Sequence, residues 1–194
     1  MYSLKVINNT LTQNPLSEDD TGRVYMDFEA TYENYDSTFN ASNSFYLGNI
    51  IPIITSISVS DTIFLPDSGG VIFELVEAEV KDANGQDDIR RVGFVSYHVE
   101  GDSFLNEGNI INLYDDGSEV ILYEPNFTSG DAAANDGIYS FRVPVFGPGN
   151  LDSELETKTG TFLWIFDAVD MANTHSNPDT QTVVVVDTFT VVTP

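Results

Sequence analysis

The sequence has no cysteine, which removes disulfides, thiolate metal centres and cysteine nucleophiles together and leaves no redox argument for a compartment. Basic residues are almost as scarce: seven Lys and Arg stand against 31 Asp and Glu, for a formal charge of -24. A field of that sign repels phosphate, so nucleic acid is excluded as a partner, and anionic membrane surfaces are disfavoured. No apolar run approaches the roughly 18 residues that span a bilayer, so no membrane insertion is expected. The N-terminus carries no charged segment followed by an apolar stretch; no signal peptide is read there, and the expectation is an export signal already removed. Abundant Thr, Asn, Ser and Tyr with scarce Lys predict an extracellular or cell-surface protein. The two histidines, His98 and His175, have no partner at metal-ligand spacing and no serine in a nucleophile elbow, so a hydrolase triad has no support and no enzyme activity is expected.

Helical periodicity is also missing. Short alternating segments separated by turn clusters predict an all-β fold, and 194 residues suffice for one large sandwich or for one and part of another. Strands are expected at Tyr2–Ile7, Arg23–Tyr32, Ser44–Leu47, Ile54–Ile63, Val71–Lys81, Ile89–Val99, Asn109–Tyr114, Glu119–Tyr123, Ile138–Val145, Thr161–Val169 and Thr182–Val192. In Val71–Lys81, Val76, Ala78 and Val80 alternate with Glu77, Glu79 and Lys81, the pattern of one buried and one wet face. In Thr161–Val169 both faces are apolar, which predicts a central strand with the lone Trp164 in the core.

The chain repeats itself in part. Tyr2-Ser3-Leu4-Lys5-Val6 matches Tyr139-Ser140-Phe141-Arg142-Val143 in residue character, 137 positions on (139 − 2). Gly22 through Ala30 matches Gly160 through Ala168 at an offset of 138 (160 − 22), with Gly and a Phe-acid-Ala ending kept. Residues 1–50 therefore read as the last three strands of one module and residues 51–194 as a complete one. Three strands leave an apolar face and sheet edges uncovered. They pack on the following module, are completed by another chain, or belong to a longer polypeptide. The junction Gly48–Ile54 holds Pro52 among apolar neighbours and is expected to be a stiff joint.

The order of turn motifs adds a family likeness. Val80-Lys81-Asp82-Ala83-Asn84-Gly85, then Asp88-Ile89 and Val92-Gly93-Phe94, then Leu113-Tyr114-Asp115-Asp116-Gly117, then Gly130-Asp131, Asn135-Asp136-Gly137-Ile138-Tyr139-Ser140 and Phe166-Asp167-Ala168, resembles the tandem immunoglobulin-like or fibronectin type III-like modules of bacterial surface proteins and lipoproteins. The resemblance implies an immunoglobulin-like Greek-key β-sandwich in an extracellular, multi-module, non-enzymatic setting.

Two acidic groups are candidate calcium sites. The first joins Asp82, Asn84, Asp87 and Asp88 to Asp167 and Asp170, with Asn173 and Asn177 nearby. If the flanking strands take the B, C, F and G positions of a sandwich, these loops share one end and five carboxylates converge, a hard-oxygen set suited to Ca2+. The competing reading, which Asp-x-Asn-Gly favours, is a turn in which Asp caps backbone amides and Gly85 supplies a positive φ. The second group is Asp131, Asn135 and Asp136, with Asp115-Asp116-Gly117 beside it. It fails the helix-loop-helix calcium pattern, because its sixth residue is Asp136 rather than glycine and its twelfth is Arg142 rather than glutamate. A loop held by its own Asp and Asn side chains is favoured there. Asn8, Asn40 and Asn126 lie in glycosylation sequons.

The expected function is a structural or adhesive module of a surface protein or filament. Its partners would be other subunits or neighbouring modules, and the half-module would accept a strand from a neighbouring subunit. The alternative is a carbohydrate-binding accessory sandwich of a secreted polysaccharide-processing enzyme. A glycan partner would need coplanar exposed rings, for which Tyr32, Tyr35 and Phe39, or Tyr97, Phe104 and Tyr114, are the candidates.

Overall fold

The computed structural model describes residues 22–32, 35–149 and 156–187. The expected strand at Tyr2–Ile7 and the last residues of the expected final strand lie outside these. The chain divides after Ile50 into two compact units.

The first unit contains an antiparallel hairpin of β1 (Gly22–Tyr32) and β2 (Tyr35–Leu47). The second is an all-β sandwich of nine strands: β3 (Ile53–Ser58), β4 (Thr62–Phe64), β5 (Val71–Lys81), β6 (Ile89–His98), β7 (Ser103–Phe104), β8 (Ile111–Leu113), β9 (Ile138–Phe146), β10 (Gly160–Asp170) and β11 (Asp179–Val186). One sheet runs β3-β5-β9; the other runs β4-β11-β10-β6, with β7 and β8 sharing the outer edge of β6. The β5-to-β6 and β9-to-β10 connections cross between sheets. In immunoglobulin lettering this is A-B-E against A′-G-F-C-C′, a Greek-key sandwich.

The Ile54–Ile63 segment is two strands rather than one. It leaves β5 after Ser58, breaks at Val59–Asp61, and re-enters the opposite sheet as β4, parallel to β11. That departure explains the two halves of β5. Where β3 and the facing sheet cover it, Val76, Ala78 and Val80 are fully buried. Before that, Val71, Ile72, Phe73 and Leu75 are exposed. The expected strand Glu119–Tyr123 does not form: Val120 and Ile121 are exposed, and Tyr123 makes only an isolated bridge to Phe127.

The core lies between β6 and β10 on one side and β5 and β9 on the other. Along β10, Phe162, Trp164, Phe166 and Ala168 are buried, and their register partners on β6 are His98, Ser96, Phe94 and Val92. Small faces large at Trp164 and Ser96, so the indole slides over Phe94, with ring centroids 4.7 Å apart. Full burial of a side chain such as Phe94 or Phe166 stabilises the fold by about 1.5–3 kcal/mol. The strand is central, as expected, and Leu163 and Ile165 on its other face are half-buried.

The outer edge of β9 is partly taken up. Ser140 exchanges both backbone hydrogen bonds with Tyr114, Phe146 pairs with Thr157, and Pro144 between them has no N–H to donate.

The hairpin of the first unit follows the β10–β11 hairpin pair for pair. Gly22 faces Leu47 and Phe28 faces Ala41; Gly160 faces Val185 and Phe166 faces Asp179. Both strands of each pair are 138 residues apart (160 − 22 and 185 − 47), and this holds through all seven pairs from Gly160 to Phe166. Val24, Met26, Phe28 and Ala30 thus stand at the positions that Phe162, Trp164, Phe166 and Ala168 hold in the sandwich core. Pro52, at the junction, is fully buried, while Ile50, Ile51 and Ile53 are exposed.

Candidate metal centre

Because β5 and β10 run to the same end of the sandwich, the loops that follow them are neighbours there. The β5–β6 loop turns on Gly85, whose φ of 117° lies in the region L side chains rarely adopt. Ahead of it, Asn84 N–H donates to Asp82 Oδ1 at 2.7 Å, the Asx-type cap expected of Asp-x-Asn-Gly. The β10–β11 loop is held by Asp170, whose Oδ1 accepts from Thr174 N–H at 2.7 Å. A backbone bond from Met171 N–H to Asp88 O, 2.7 Å, ties the two loops together.

This brings three carboxylates together: Asp82, Asp88 and Asp170 each place an oxygen within 4.8 Å of the others. Asp170 is fully buried. Oδ2 of Asp82 and Oδ2 of Asp88 are buried without a hydrogen-bond partner among the described residues. Burial raises the Asp82 carboxyl above its ordinary value; the Asn84 amide works against that, and the nearby Asp88 and Asp170 charges add to it. Three acidic oxygens facing one another suit a hard divalent cation such as Ca2+, which takes oxygen ligands and offsets their repulsion.

The expected convergence of five carboxylates is corrected to three. Asp167 lies at an odd position of β10, on the face away from the core, where its Oδ2 receives Arg91 at 3.5 Å and His175 Nδ1 at 2.8 Å. Asp87 is exposed in the short 3-10 turn Gln86–Asp88. Asn84 contributes its backbone amide. Asn173 accepts a hydrogen bond from Arg90, and Asn177 is exposed.

The second acidic group sits at the same end, because β9 starts beside the end of β5. Asp131 joins Asp115 and Asp136 within 4.8 Å, but the oxygens there are occupied. Asp131, 4% exposed, accepts Gly117 N–H at 2.7 Å through Oδ2 and Ser140 Oγ at 3.3 Å through Oδ1. Asp115 receives the amides of Asp136 and Gly137, and Asp136 that of Ile138. Asn135 is exposed, with a left-handed φ of 62°. Beside them Asp116 Oδ1 takes Ser118 N–H and Ser129 Oγ, leaving its Oδ2 without a partner. The role of Ser118 and Ser129 was not legible in the sequence; Ser118, directly after Asp115-Asp116-Gly117, was the available signal.

Of the candidate sugar platforms, Tyr97 and Phe104 meet edge to face at 65°, and Tyr114 instead approaches Phe141. Phe39 is exposed, and Tyr32 pairs with Tyr35 through the backbone. Exposed rings also gather where Phe127 touches Phe73 and Tyr123 at interplanar angles of 50° and 56°, with Arg142 over the Phe127 ring. None of the ring pairs Tyr97–Phe104, Tyr114–Phe141, Phe73–Phe127 and Tyr123–Phe127 is coplanar.

No family model matches the chain, and no curated protein matches it. Among solved structures it is similar to the fibronectin(III)-like modules of Clostridium thermocellum CbhA, at 12% identity and a TM-score of 0.44, over 86% of this chain and 64% of that one. The immunoglobulin-type architecture rests on this chain's own strand order: an all-β sandwich with crossed A-B-E and A′-G-F-C-C′ sheets.

Proposed function

We propose that the chain is a non-catalytic structural or adhesive segment of an extracellular surface protein or filament, built from repeated sandwich modules and stabilised by calcium at Asp82, Asp88 and Asp170. The observation that carries this reading is the hairpin register repeated at a constant offset of 138 (160 − 22). A strand pair copied with its register is what tandem modules produce, and tandem sandwiches serve as spacers and display platforms. The buried, unpartnered oxygens of Asp82 and Asp88 support the ion. The charge of -24 fits a chain that works in solvent rich in divalent cations.

In this reading β1–β2 is completed by a neighbouring subunit, which covers the positions equivalent to the core stripe of β10. Light scattering of the intact chain over a range of concentrations tests it. The expected result is a dimer or larger species that Met26→Asp returns to monomer. A monomer at the highest concentration reached overturns completion by a subunit. A glycan array tests the carbohydrate-binding alternative, which needs at least one reproducible hit.

A further inference from the structure

Strand β5 is paired on both sides along one half and on one side along the other. β9 pairs with it from Val71 to Glu79, whereas β3 pairs only with Glu77–Lys81 before the chain crosses to the opposite sheet as β4. Val80 N–H donates to Gly137 O and Gly147 N–H to Gly70 O, so the even residues of β5 bond toward β9. The alternation of an antiparallel ladder then turns the N–H and C=O groups of Val71, Phe73 and Leu75 toward the track that β3 has left. No strand among the described residues takes that track.

The side chains do little to close this edge. Val71, Phe73 and Leu75 share the face away from the core and are exposed, Phe73 by 50% even with the Phe127 ring centroid 5.3 Å away. Neither a proline nor a lysine, the residues that usually blunt an edge, stands on Val71–Leu75. Its one charge is Glu74, and that charge selects a register. Turned about a two-fold axis at Phe73, the segment meets itself with Val71 opposite Leu75 and Ile72 opposite Glu74, so no acid faces another. The same turn about Glu74 sets two carboxylates directly opposite, which is destabilising. About Ile72 it calls on Gly69 to face Leu75, but Gly69 N–H is already given to Pro148 O.

We propose that Val71–Leu75 is a docking edge for a second copy of this chain. Two β5 strands join antiparallel about Phe73, the outward N–H and C=O groups of Val71, Phe73 and Leu75 find partners, and the two apolar triplets merge on one face. The contact is short and joins molecules that each carry a charge of -24. In free solution it is therefore transient and needs a covalent trap to be seen; it persists where copies are held side by side. It does not rest on the completion of β1–β2.

The chain has no cysteine, so an introduced thiol is the sole one. In this register Val71 of one copy lies about 5.5 Å from Leu75 of the other between Cα atoms, within disulfide reach. Each residue is about 13 Å from its own counterpart, beyond it. The Val71→Cys and Leu75→Cys chains, mixed and oxidised in high salt to screen the repulsion, should give a disulfide-linked dimer on non-reducing electrophoresis, and neither alone should. Phe73→Pro in both chains removes an outward N–H and no bond to β9, and should cut the yield about tenfold. Phe73→Glu, which sets like charges opposite each other, should do the same. Met26→Asp should leave the yield unchanged. Absence of the mixed dimer, equal cross-linking of either variant alone, a yield indifferent to both Phe73 substitutions, or its loss with Met26→Asp overturns the proposal.

Discussion

Two acidic groups stand at the same end of the sandwich and use their oxygens in opposite ways. In the Asp115, Asp131 and Asp136 group, backbone amides and a serine hydroxyl approach the carboxylates from several sides. In the Asp82, Asp88 and Asp170 group, two oxygens are buried with no donor. The first is a loop stabilised by its own side chains; in the second, Asp82 and Asp88 each bury one oxygen that meets no donor among the described residues. Equal proximity of acids is therefore a poor guide to ion binding, and the partner of each oxygen is a better one.

The sharpest way to break this contrast is to remove the central carboxylate of the satisfied group. Asp131→Ala strands the Gly117 amide and Ser140 hydroxyl in a buried site and should cost about 3 kcal/mol in urea unfolding, with or without calcium. A loss much smaller than that would mean the loop does not depend on its carboxylate. Next in size is the ion itself: at a hundred times its dissociation constant, Ca2+ should add about 2.7 kcal/mol by mass action. The gain should vanish in Asp170→Asn and persist in Asp136→Asn. A melting temperature indifferent to calcium and chelator would retire the site.

Without calcium, Asp88→Asn should be stabilising by about 1 kcal/mol, because it relieves repulsion between like charges that share one site. Destabilisation would show that Asp88 serves the loop instead. The smallest effect is with pH. Since Asp82 is raised from its ordinary value of 3.8, the folded state holds that proton more tightly than the unfolded chain. In chelator, its contribution is present below the ordinary value and is lost as pH rises through the raised one. Saturating calcium should reverse the slope, because the ion binds only the deprotonated site. Chemical denaturation between the two limits, with Asp82→Asn as reference, measures the sign.

Much of this was legible from residue order. The alternation of Val76, Ala78 and Val80 with acids placed β5, and the two apolar faces around Trp164 placed β10 at the centre of its sheet. Asp82, Asp88 and Asp170 were within reach of sequence reasoning because the loops after β5 and β10 share an end. Asp167 was misassigned for want of a parity count. Phe162, Trp164, Phe166 and Ala168 take the even positions, so an odd residue points away from the core, while Asp170 is even and buried just past a register shift on β10. Glu119–Tyr123 looked like a strand by composition alone. Among the described residues no strand pairs with it, and β-propensity without a partner does not make a sheet.

The partly occupied margin of β9 sets how such units can be joined. With Tyr114 and Thr157 at its ends and a proline between them, that side is a broken template for a foreign backbone. Growth by lateral accretion, the route to ribbons and aggregates, is disfavoured along that flank. Whatever joins one sandwich to the next gains least from that margin.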